Sequence, residues 1–251
     1  MTKNVWNVLA AVALFVIIAI GASAITVSAL WGAKGQTFTL FEFLGPLPAA
    51  FLGPVAGIGA ILLAKLASIA VLHTPLDMVT VLRLLPPVAA AFFFATYRGK
   101  MTNGTGSNWT TSRAIQVLVP LACMALFILH PVGAQAWFYS LYWLIPPVVV
   151  LALPDNLFLR SLGTTFTQHA IGGVIWLYFV NAMTPAAWIA LIPIVAVERL
   201  VFAGGMSACF VLLQAALAEV NSVLVSRHVQ PLPLLCLPKA DQSAKTGNAG
   251  E

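Results

Sequence analysis

The side chains able to do chemistry in this chain are a few polar groups set in long apolar runs. Thr165, His169, Gly172 and Trp176 recur at i, i+4, i+7 and i+11, which lines them along one helical face. His169 falls near the middle of its run, between Thr167-Gln168 and Ala170. A hydrogen-bonding group, an aromatic wall and a glycine gap on one stripe suit a small, largely uncharged aromatic or heterocyclic ligand. On that reading His169 and Gln168 supply hydrogen bonds, Trp176 a stacking face and Thr165 a further polar contact. The competing reading is a histidine satisfied by a neighbouring carbonyl, and the sequence leaves both open.

Two further groups belong with that stripe. Glu198-Arg199 is a charged pair inside an apolar segment. Adjacent helical residues point about 100° apart, so each is expected to meet a partner on another helix, with Arg83 and Glu42 as candidates. A structural ion pair and a polar contact to substrate are both open. Trp137, Tyr139, Tyr142 and Trp143 form an aromatic cluster. It reads as an interfacial belt or, through Tyr139, Tyr142 and Trp143 on one face, as the mouth of a cavity.

Recognisable catalytic constellations are missing from the sequence. No Gly-x-Ser-Gly nucleophile motif of an intramembrane serine protease occurs, nor a His-Glu-x-x-His zinc helix. Asp77, Asp155 and Asp241 stand isolated rather than in a magnesium-diphosphate motif. Cys123, Cys209 and Cys236 are too far apart for a metal or redox motif, and their odd number argues against a disulfide framework. We expect no enzymatic activity and neither a cofactor nor a metal. Cys123 or Cys209 working with His169 as a transpeptidase is the weakest alternative.

These residues have to be positioned by a chain built for lipid. Only 8% of residues are charged and 61% are hydrophobic, and mean hydropathy is +0.97. A soluble domain carries roughly 25% charged residues. Residues 4–33 contain no charged side chain at all. The expected class is all-α: a polytopic transmembrane helical bundle over residues 1–230 as a single domain, with a polar tail at 231–251 expected to be disordered. About 20 apolar residues cross the hydrocarbon. Candidate spans cover 8–30, 43–72, 78–97, 114–129, 135–153, 162–181 and an overlong 186–225. The first run is too long for a cleavable signal peptide. Six spans is the alternative, if 186–197 lies flat in the interface or another span proves re-entrant.

Seven spans put the ends on opposite sides. With the N-terminus outside, Lys34, Arg98, Lys100, Arg113, Arg160, Arg227, Lys239 and Lys245 are cytoplasmic and only Lys3 external. That distribution obeys the positive-inside rule, predicting a multi-pass cell-membrane protein with its C-terminus in the cytoplasm. The same rule accounts for the net charge of +5 without nucleic acid.

The second candidate span carries two ladders of small residues: Gly45, Ala49, Gly53 and Gly57, and Ala56, Ala60, Ala64 and Ser68. Such spacing lets helices approach closely in lipid. It serves internal packing or docking of a partner membrane protein, and we assign the Ala60 ladder to the outward face. Pro46, Pro48, Pro54, Pro86-Pro87 and Pro146-Pro147 predict breaks of the kind found where membrane proteins bind solutes.

The stretch 43–66, FLGPLPAAFLGPVAGIGAILLAKL, resembles a helix of the substrate-binding S components of energy-coupling factor (ECF) vitamin transporters. Ala56, Ala60 and Ala64 match its Ala-xxx-Ala docking face. Ile192-Pro193 through Glu198-Arg199-Leu200 is similar to the entry to the last helix of those proteins. The resemblance implies a six-helix core, here with an extra N-terminal helix. It also implies vitamin uptake with a transmembrane coupling subunit and ATPases as partners. A membrane-embedded assembly or scaffold protein without a ligand is the other class that the residues allow.

Overall fold

The computed structural model describes residues 2–29, 37–71, 73–97, 109–180 and 183–227. Apart from turns and short connections, the described residues are helical but for one short hairpin. The elements are α1 (Thr2–Ser23), β1 (Thr26–Ala29), β2 (Thr37–Thr39), α2 (Phe41–Leu44), α3 (Pro48–Leu52), α4 (Pro54–Val71), α5 (Met78–Leu82) and α6 (Leu85–Thr96). They continue with α7 (Trp109–Leu129), α8 (Pro131–Gln135), a 3-10 segment (Trp137–Leu144), α9 (Ile145–Leu151), α10 (Leu157–Ile175) with a π-helical turn (Trp176–Val180), and α11 (Pro185–Ser226). Among the described residues, Pro54–Val71, Met78–Thr96, Thr110–Leu129 and Pro185–Ser226 are long and apolar enough to cross a membrane.

Boundaries differ from the sequence expectation where local chemistry intervenes. The first apolar run ends as a helix at Ser23, because Thr26–Ala29 pairs antiparallel with Thr37–Thr39. Residues 109–113, which precede the candidate span 114–129, already belong to α7. The polar tail lies outside the described residues. Helix starts follow capping: Asp77 accepts from the Thr80 backbone N–H at 2.7 Å, a bond that holds its carboxyl below the usual carboxylate range. Asn156 and Thr184 cap α10 and α11 in the same way. The proline pairs fall in the first turns of α6 and α9, where a missing N–H costs nothing.

The region 41–71 departs most from a single span. Gly53 takes φ 85° and ψ 163°, a conformation open essentially to glycine alone, and Pro54 then starts α4. The chain reverses there. Lys65 Nζ lies 3.9 Å from the centroid of the Phe41 ring, and a Cβ on Gly57 would fall 2.1 Å from Ala49 Cα. Those contact pairs are symmetric about Gly53, so α2–α3 runs antiparallel to α4. Gly45, Ala49, Gly53 and Gly57 therefore do not share one helix face; they let the two arms of a hairpin close.

The alanine ladder is also internal, which corrects its assignment to the outward face. Ala60 is 2% exposed and Ala64 1%, and Ala56 is partly buried. Ala64 and Ile61 pack in one cluster with Ala19 and Ala22 of α1 and Ala91 and Ala95 of α6. Phe15 of α1 stacks on Phe51 of α3 at 5.8 Å. Contacts at Phe51 and then at 61–64 make α1 parallel to α4. The exposed face of α4 is Val55, Leu63, Leu66 and Val71, with Val55 87% exposed.

α11 is continuous over 42 residues, including Pro193, so 186–197 is no separate segment. At 1.5 Å per residue it spans about 63 Å, roughly twice the hydrocarbon thickness. Its buried residues, among them Trp188, Val195, Arg199, Phe202, Met206, Phe210 and Leu217, pack against α10, α2 and α3 and, at Trp188, against Phe127 of α7 and Tyr139 of the 3-10 segment. Large apolar side chains are exposed around the whole bundle, as a lipid-facing surface requires and water would not tolerate.

Candidate functional site

Elements from across the chain converge on one cavity of about 320 Å³. α10 contributes Gln168, His169 and Gly172, and the π-helical turn contributes Trp176. A π-turn shifts the register of the helix, and such turns are frequent at functional sites. From α11 come Trp188, Val195, Glu198 and Arg199, and from α2 and α4 come Phe41, Glu42 and Lys65. Arg83 sits at the break between α5 and α6, next to Pro86 and Pro87. Thr37 and Phe38 reach the wall from the β-hairpin, and Tyr139 from the 3-10 segment.

His169 is held by two side chains. Trp143 Nε1 lies 3.2 Å from its Nδ1, and Tyr139 Oη lies 2.9 Å from its Nε2. An indole N–H only donates, so Nδ1 must be the accepting nitrogen and the neutral ring carries its hydrogen on Nε2. That N–H donates to the Tyr139 hydroxyl. Both nitrogens are thus spent within the protein, which favours the satisfied-histidine reading, with side chains rather than a carbonyl as partners. The 3-10 geometry aligns residues three apart, which places the buried Ser140 and Trp143 on one face. Tyr139 and Trp143 are buried while Trp137, Phe138 and Leu141 face outward, so the cluster divides between interior and belt.

The charged groups are arranged differently from expectation. Arg199 Nη2 donates to Glu198 Oε2 at 2.7 Å: the adjacent residues do pair, their long side chains bridging the 100° offset. Arg199 Nη1 donates to Thr165 Oγ1 at 3.3 Å, and the guanidinium lies 4.4 Å from the Phe202 ring and 5.0 Å from Phe38. Glu42 instead accepts from Gln168 Nε2. Arg83 approaches the Trp176 ring at 5.6 Å. Lys65 Nζ lies over the Phe41 ring face, a cation–π contact.

Of the expected substrate residues, Gln168, His169, Trp176, Glu198 and Arg199 line the cavity. Thr165 lies behind the wall as the Arg199 partner. Tyr142 donates to the Ile192 carbonyl at 2.8 Å, next to Pro193, and stacks on Phe166 at 5.5 Å. Trp143 sits beneath His169, so close to Gly173 that a Cβ there would lie 2.8 Å from its ring. Tyr142 and Trp143 are supports rather than lining. The glycine gap is real at Gly172, where a Cβ would meet nothing within 4 Å. Sequence reasoning did not assign Glu42, Lys65, Arg83, Trp188 or Phe38 to the site. Lone charges in apolar runs were the available signal for the first three.

No group of three or more His, Cys, Asp or Glu side chains able to hold a metal occurs among the described residues. Comparison with protein families, characterised proteins and solved structures finds no match to this chain. The site is therefore read from its own geometry.

Proposed function

We propose that this chain is a multi-pass, substrate-binding subunit of the cell membrane that takes up a small vitamin-like or heterocyclic solute. The observation that carries this reading is the cavity, where Glu42, Lys65, Arg83, Glu198 and Arg199 meet aromatic walls inside a bundle of apolar helices. Ionisable groups at membrane depth are costly and, where they occur, characteristically line a solute or ion pathway. A scaffold without a ligand has no use for such a cavity. Transport in this reading is energised by a transmembrane coupling subunit with ATPases, as in the ECF S components that the sequence resembles. Because Ala60 and Ala64 are buried within the chain, the partner meets the exposed Val55-Leu63-Leu66 face of α4.

The reading includes six full crossings plus the 41–71 helical hairpin, within the six to seven spans expected. The hairpin makes α1 and α4 parallel, which supports placing both termini in the cytoplasm rather than the N-terminus outside. Exchanging Lys3 for Lys34 leaves the basic residues divided eight to one, so the positive-inside rule is met equally well.

Native mass spectrometry of the purified protein tests the ligand. A compound should co-purify with wild type and be lost in Gly172→Trp, whose side chain grows into the open space of the cavity. Wild type that carries no compound and transports no solute, in lipid and with its membrane partners present, overturns the reading.

A further inference from the structure

Three buried polar atoms on residues that line this cavity lack a partner among the described residues: Nε1 of Trp176, Nε1 of Trp188 and Nε of Arg199. All are N–H donors. Trp188 and Arg199 are each only 2% exposed, so bulk water does not serve them. His169 donates to the Tyr139 hydroxyl, whose own hydrogen has no further acceptor among the described residues. The unmet demand of the wall is therefore for acceptors. Buried donors left unmade are expensive, and ligands that satisfy them gain accordingly.

Charge points the same way. Lys65, Arg83 and Arg199 outnumber Glu42 and Glu198 by one on the cavity wall, with His169 neutral. Glu198 is committed to Arg199 and Glu42 to Gln168. Lys65 makes no hydrogen bond or ion pair among the described residues and rests against the Phe41 ring. Glu42 is the opposite charge that acts on Lys65, and it is shared with Gln168. The wall as a whole keeps one positive charge over its carboxylates, which is unfavourable at membrane depth, and an anionic ligand group would offset it.

We infer that the occupant is a planar ring compound bearing one negative charge, a carboxylate in the simplest case, with acceptor atoms for the indole N–H groups. This departs from the uncharged ligand suggested by sequence and rests on the cavity being a ligand site. Lys65 is the cation that recognises the anionic group, and Trp176 and Trp188 read the ring.

Thermal stabilisation by matched probes tests it: benzoate, benzamide and benzylamine, and indole-3-acetate, indole-3-acetamide and tryptamine, on the full chain in detergent. The carboxylates should raise the melting temperature most. Lys65→Met, which keeps the apolar stem and removes the charge, should weaken carboxylate binding about ten- to hundredfold, the usual value of a hydrogen bond to a charged group. The same variant should leave carboxamide binding within about twofold. If amides or amines stabilise the protein and carboxylates do not, the anionic assignment falls while the cavity remains a binding site. If Lys65→Met leaves carboxylate binding unchanged, Lys65 is not the recognising cation and the assignment falls likewise. If no probe of any charge stabilises wild type, both readings fall.

Discussion

Histidine at membrane depth invites a functional role, yet His169 spends both ring nitrogens on Trp143 and Tyr139. Its removal strands an indole N–H and deprives a buried hydroxyl of its donor. Each such loss typically costs about 1–3 kcal/mol. His169→Ala should therefore lower the melting temperature of the unliganded protein, and calorimetry without any added compound checks it. Unchanged stability would mean that the tautomer argument misplaces the ring. Gly172→Leu should do the opposite, leaving the unliganded melting temperature nearly intact while abolishing ligand stabilisation, because nothing but open space lies within 4 Å of its Cβ. The periodic stripe of α10 made these positions legible. Lys65 and Arg83 were not legible as lining, because each is one charge in an apolar run whose facing direction depends on a break that only the fold reveals.

At the level of elements, prolines and glycines announced the breaks but not their consequences. Pro46, Pro48, Gly53 and Pro54 read equally well as kinks in one span and as a reversal; the positive φ at Gly53 decides for reversal. Gly53→Ala should cost about 1–3 kcal/mol from backbone strain alone, measurable as a fall in melting temperature without a partner present. The small-residue ladder was legible as a close-packing surface, but spacing cannot say which helix covers it. Since Ala60 is buried within the chain beside the Ala64 cluster with α1 and α6, Ala60→Leu should overpack the interior at about 1–3 kcal/mol. It should destabilise the isolated chain rather than only weaken a complex. Expression and melting of the single protein distinguish the outcomes: a stable Ala60→Leu protein that loses only its partner would restore the outward assignment.

For the whole molecule, the question is which way α1 runs. Counting apolar runs gave seven crossings and opposite termini, and the charge distribution agreed. The same distribution agrees just as well with both termini inside, because Lys3 and Lys34 simply exchange sides. Side-chain contacts support the second arrangement: Phe15 meets Phe51, and Ala19 and Ala22 pack with Ile61 and Ala64. α1 and α4 therefore point the same way, and α2–α3 returns between them. Substituted-cysteine labelling, in a background with Cys123, Cys209 and Cys236 replaced, reads this directly. Thr2→Cys and Ser107→Cys should both be shielded from an impermeant thiol reagent in intact cells and react after permeabilisation. His73→Cys, in the connection between α4 and α5, should react from outside. Should Thr2→Cys label from outside while Ser107→Cys stays shielded, α1 runs antiparallel to α4. The helical hairpin at Gly53 would then be a through-going span, and the wall that Glu42 and Phe41 form opposite Lys65 would have to be rebuilt.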